Sequence, residues 1–249
     1  MDCSEQISRE HYISKSVLDQ IGKSLLVTGM PWLSPGETLE TSVGSLTAKI
    51  LCRRHNEALS PLDAEAAHFF SVIRQILTDL GRRRFSRKPI FHLVGGDAIE
   101  TWMLKVSCGL FFSIGANDGI KLSGMHSIDL IKVQGAFFER RWDQRAGLYF
   151  RGTTGAAINI NSNVEIAPLS KNQRFGGAVV SFHGLTLEFL FDTTDTNPGV
   201  WTGLVRQPSE LVLRNQQRKH HIVLTWPVGT PEACVIMDAN NVSTPGTVG

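Results

Sequence analysis

Apolar residues recur at three- and four-residue intervals from Leu62 through Ala66, Phe69, Phe70, Ile73, Ile76 and Leu77 to Leu80, the pattern of a helix with one face turned to a core. No other stretch of the chain constrains its fold as strongly. Ser60 can serve as N-cap, Pro61 suits the first helical position, Asp63 sits where its carboxylate can close a capping box, and Gly81 ends the pattern. Just upstream, Ser45 to Leu51 reads as a strand, so strand and helix are joined through Cys52-Arg53-Arg54-His55-Asn56.

The rest of the chain has room for more than this unit. Its 249 residues, 42% of them apolar, can build one large domain or two small ones. A formal net charge of only +2 excludes a globally basic nucleic-acid binder, so any such partner must be met by local clusters. Arg82, Arg83, Arg84, Arg87 and Lys88 form one, just past the helix. Arg214, Arg218, Lys219, His220 and His221 form another, which reads equally as a solvated face. The opening MDCSEQISRE has no basic and apolar leader, and no apolar run approaches the ~18 to 20 residues of a membrane span. Together with four scattered cysteines, this points to a cytoplasmic protein with no membrane association and no disulfide framework. Cys108 and Cys234 lie in apolar contexts and are expected in the core.

Residues 13–21 read as a short helix, and 24–49, broken by Pro31, Pro35 and Gly36, as less regular. The basic run 82–89 reads as a linker. A second amphipathic helix is expected over 97–114, capped by Asp97, with Ile99, Trp102, Met103, Val106, Leu110 and Phe111 on its buried face, and a third over 128–138. After Gly147 the period changes to two, with strands expected at 147–151, 156–161, 164–167, 177–182, 185–191, 209–213 and 220–226. The class is α+β, with helices packed on an antiparallel sheet or small sandwich. The expected division is residues 1–88, residues 89–238, and a mobile tail at 239–249.

Cys52 and His55, at i and i+3, can turn sulfur and imidazole nitrogen toward one zinc ion, with Cys3 as a third ligand. A buried thiol beside a surface histidine accounts for the same spacing. Asn56 can equally satisfy backbone groups at the turn.

Cys52-Arg53-Arg54-His55-Asn56, taken with Arg9-Glu10-His11-Tyr12-Ile13-Ser14, resembles the corresponding segments of bacterial HNH-like endonucleases of the treble-clef type, over about residues 3 to 70. The resemblance implies a ββα-metal subdomain. It implies that His11 is a general base activating water against a phosphodiester, that Glu10 binds Mg2+ or Mn2+, and that Asn56 orients the site. Cys3, Cys52 and His55 would hold a separate structural Zn2+. Asp63, Glu65 and His68 are candidates for the remaining residue of the motif, Asp63 first by spacing, although a capping box explains Asp63 without chemistry. The expectation that follows is a metal-dependent endonuclease acting on DNA. Arg53, Arg54, Arg82, Arg83, Arg84 and Arg87 would contact phosphates. The alternative is a non-catalytic, zinc-stabilised module that binds nucleic acid or protein. A protein partner or ligand on the C-terminal part is compatible with either.

Overall fold

A computed structural model of the chain describes residues 6–20, 24–28, 33–34, 36–82, 88–112, 122–139, 145–152, 156–157, 163–192, 203–227 and 233–239. Strand β1 (Ile7–His11) is followed by the single turn α1 (Lys15–Leu18), by β2 (Ser24–Thr28) and β3 (Thr38–Ser42), and by β4 (Thr47–Cys52). β1 and β4 form an antiparallel pair in which Ile7 faces Cys52 and His11 faces Thr47, with a register shift between Ser8 and Glu10. Helix α2 (Arg53–Leu80) leaves β4 with no intervening loop. The three elements make a ββα unit.

α2 begins at Arg53, not at Pro61 as its capping signal predicts. Cys52 takes the N-cap, its Sγ accepting from the backbone N–H of His55 at 3.5 Å. Pro61 therefore lies inside the helix, where its ring removes one i to i−4 hydrogen bond. The predicted apolar face is observed: Ala66, Phe69, Phe70, Ile73, Ile76, Leu77 and Leu80 are all buried, and Gly81 is the C-cap.

Strand β5 (Ile90–Gly95) leads into α3 (Gly96–Phe112). Sequence periodicity assigns α3 one buried face, but the helix is buried almost all round, Glu100, Thr101, Leu104, Lys105 and Ser107 included. It packs against α2 on one side and against sheet strands on others. Gly109 makes one approach closer than any other residue would allow, since a Cβ there would lie 2.3 Å from the Cβ of Tyr12. α4 (Leu122–Met125) and α5 (Leu130–Phe138) follow, the latter capped by Asp129, whose carboxylate accepts from the N–H groups of Ile131 and Lys132.

The C-terminal strands are β6 (Gly147–Arg151), β7 (Ala156–Ala157), β8 (Asn163–Lys171), β9 (Arg174–Phe182), β10 (Leu185–Leu190), β11 (Leu204–Arg206), β12 (Glu210–Arg214), β13 (Lys219–Thr225) and β14 (Cys234–Asp238). With β2, β3 and β5 they form a seven-stranded sheet in the order β11-β6-β10-β9-β8-β2-β3 and a five-stranded sheet in the order β5-β13-β12-β14-β7. The fold is α+β, as expected, but neither sheet is purely antiparallel. β2 runs parallel to β8, and in the smaller sheet β5, β14 and β7 are held by parallel pairings.

The expected division after residue 88 does not appear in the packing. β2 and β3, from the region read as less regular, complete the larger sheet. The rings of Phe69 and Phe70 on α2 meet Phe150, Trp102 and Phe182 from beyond that point, within one continuous apolar cluster. The physical reason is size: a two-stranded hairpin and one helix cannot cover their own apolar surfaces. Of the expected tail, residues 240–249 lie outside the described residues.

Candidate functional site

The end of β1, the first turns of α2 and the middle of α3 meet at one place. Glu10 and His11 close β1, and Asn56, Ser60 and Asp63 lie at i, i+4 and i+7 on α2, so they share a helix face. With Ser14 they line a cleft of about 300 Å³. Four of the residues singled out from the sequence, Glu10, His11, Asn56 and Asp63, are thus brought together.

The group that holds the two carboxylates of the cleft from behind is not legible in the sequence. Lys105 of α3, 3% exposed, places its Nζ 2.8 Å from Glu10 Oε1 and 2.9 and 2.7 Å from Asp63 Oδ1 and Oδ2. Ser14 Oγ donates to Asp63 Oδ1 at 2.5 Å and accepts from Trp102 Nε1 at 2.7 Å. Trp102, Lys105 and Gly109, at i, i+3 and i+7, form one stripe of α3 that meets Ser14, Glu10 and Tyr12 in turn. Asp63 is therefore not a capping residue. With the helix starting at Arg53, its carboxylate serves Lys105 and Ser14. The one sequence signal for Lys105 was a lysine flanked by Leu104 and Val106 within a long apolar run, a position such a residue holds only when its charge is paired.

His11 differs from its neighbours. Its Nε2 is buried and has no hydrogen-bond partner among the described residues. Burial pulls its pKa below the ordinary 6.5, opposed by the Glu10 charge and assisted by Lys15 and Lys105. The ring is thus a neutral imidazole at neutral pH, able to accept a proton. Glu65 and His68, the other candidates on α2, are exposed on its surface and do not line the cleft.

Cys52 Sγ and His55 Nδ1 are 3.2 Å apart, an arrangement in which both could reach one zinc ion. Cys3 lies outside the described residues, and among the described residues no group of three or more His, Cys, Asp or Glu side chains could hold a metal. The pair fits half of a zinc shell. Glu10 fits a divalent metal poorly, because Lys105 already occupies the space between it and Asp63.

Arg53 and Arg54 are exposed at the start of α2, Arg53 paired with Glu57 at 2.9 Å. Arg82 lies past the far end of this 28-residue helix, roughly 40 Å away. The two basic groups therefore do not form one patch, and Arg83, Arg84 and Arg87 lie outside the described residues. The second basic run is largely paired internally. Arg214 meets Asp238 at 2.7 Å, Arg218 and His220 meet Asp79, and His221 meets Glu210 at 2.6 Å. Cys108 is packed at the core, where burial pushes its thiol up to about 12, whereas Cys234 is exposed and not the core residue expected. No described helix is long and apolar enough to cross a membrane. No family model, curated protein or solved structure matches the chain.

Proposed function

We propose that the cleft between β1 and α2 hydrolyses phosphodiester bonds in DNA, with His11 as general base, in a protein of the cytoplasm. The observation that carries this reading is the unpaired Nε2 of a neutral His11 in a cleft shared with Asn56, inside a ββα unit. An unpartnered buried nitrogen costs about 1–3 kcal/mol, and a water molecule admitted to it by a small turn of the ring toward the cleft is a partner that relieves this cost and is placed for deprotonation. His11 takes a proton from water as the water oxygen attacks phosphorus, the P–O bond to one deoxyribose oxygen breaks, and that leaving oxygen takes up a proton from solvent, while Asn56 orients the phosphate or the water. Arg53 and Arg54 contact the DNA backbone, which makes binding fall steeply with salt. Cys52 and His55, with Cys3 as a third ligand, would hold a structural zinc at the start of α2.

The test is plasmid nicking by the purified protein, with Mg2+, with Mn2+ and with chelator, against His11→Ala and Asn56→Ala. Nicking that disappears with His11→Ala while DNA binding persists supports the reading. Nicking that survives the substitution overturns it. A second reading, a non-catalytic module that binds nucleic acid or protein, is favoured by Lys105. An ammonium saturated by carboxylates has no N–H left to stabilise charge on a phosphate. Salt-dependent DNA binding with no nicking in any metal would select it.

A further inference from the structure

We propose that the ammonium of Lys105 is the resident cation of the two carboxylates that line this cleft, standing between Glu10 and Asp63 where a divalent metal ion bridging them would have to bind, so that the two carboxylates are used without a metal. The inference stands apart from hydrolysis and holds whether the cleft reacts or only binds.

An ammonium has three N–H donors, and each of the three has a carboxylate oxygen within 2.9 Å: Glu10 Oε1, Asp63 Oδ1 and Asp63 Oδ2. Asp63 Oδ1 is engaged twice, since it also accepts from Ser14, whose hydroxyl is fixed by the Trp102 indole. A metal ion bridging Glu10 and Asp63 would need an Asp63 oxygen that already accepts from Lys105, at about 2.0–2.6 Å, and the lysine charge beside it would repel it. The groove that Lys105 also borders is lined by Leu62, Cys108 and Phe138, so an ammonium moved into it would exchange carboxylate partners for apolar surface. The lysine side chain is 3% exposed and rises from a helix buried almost all round, anchored one turn away by Trp102 and on the other side by the contact of Gly109 with Tyr12. Swinging the ammonium out would leave two carboxylates facing each other at the base of the cleft, one of them 9% exposed. The Lys105 charge also reaches His11, where it favours the neutral imidazole against the pull of Glu10.

The experiment titrates Mn2+ into the full-length protein and follows the electron paramagnetic resonance of the free ion, for wild type, Glu10→Gln, Lys105→Ala, and Lys105→Ala combined with Glu10→Gln. Wild type is expected to show no Mn2+ binding that Glu10→Gln removes. Lys105→Ala, with two uncompensated carboxylates and space for an ion, is expected to bind Mn2+ at least about tenfold more tightly, and the added Glu10→Gln to abolish the gain. Stoichiometric binding by wild type that is lost in Glu10→Gln overturns the proposal. So does a folded Lys105→Ala protein that gains no affinity. If Lys105→Ala does not fold by itself, refolding in Mn2+ but not in K+ supports the proposal, and failure in both counts against it. The readout is metal binding, so a protein that never nicks DNA still answers the question.

Discussion

The hydroxyl of Ser14 has two neighbours that depend on it. It donates to Asp63 and accepts from the Trp102 indole, so Ser14→Ala leaves a buried N–H unsatisfied and Asp63 less well oriented. The expected loss is about 1–3 kcal/mol in urea denaturation, and the outcome that rejects the network is a change within error. Removing one partner of a buried ion pair is costlier, and Lys105→Met is expected to lose about 3–5 kcal/mol. Protonation works on the same scale. His11, His92, His183 and His220 all have pKa values held below 6.5, with burial the first cause in each. The unfolded chain therefore takes up protons at pH 6.5 while the folded chain resists. Stability from these groups is complete above that pH and is lost as pH falls through the depressed folded values. Burial of Glu100 raises its pKa and acts in the opposite sense, above its ordinary 4.5. A melting temperature that falls from about pH 7.5 to about pH 6 is the expected result, and a flat profile would contradict it.

At the scale of elements, α2 and α3 show how much a local pattern can reveal. The apolar spacing from Leu62 to Leu80 gives the buried face of α2 correctly because burial of a helix face is a periodic, local property. Its start was misplaced because Ser60-Pro61 makes a sound capping signal that the tertiary structure overrides with Cys52. Pro61 remains as a defect in the helix interior. Since it is exposed, Pro61→Ala is expected to raise stability by about 1–3 kcal/mol, measurable by thermal denaturation; a lower stability would mean that the ring packs usefully in the apolar groove it lines with Leu62 and Phe138. Along α3 the critical element contact is Gly109. A methyl group there would meet Tyr12, so Gly109→Ala is expected to push β1 off α3, lowering stability by about 1–3 kcal/mol and loosening the Lys105 pairs with it.

Across the whole molecule, the larger sheet decides what can fold alone. β2 pairs with β8 through Leu26, Val27 and Thr28 against Asn163, Val164 and Glu165. A fragment ending at residue 88 therefore leaves β2 and β3 without the rest of their sheet and the face of α2 without Phe150 and Phe182. It is expected to lack a cooperative transition by circular dichroism, whereas the full chain unfolds in one. A cooperatively folding fragment would restore the two-domain division. The sequence by itself determined the α+β class, the apolar face of α2 and several C-terminal strands, β6 at its observed bounds among them, because these follow from periods of 3.6 and 2 within a few residues. It also singled out His11, Asn56 and Asp63. Only the tertiary structure decided that Lys105, 95 residues from Glu10 and 42 from Asp63, would stand between them. An ion pair depends on where two elements meet, and no local periodicity records that meeting.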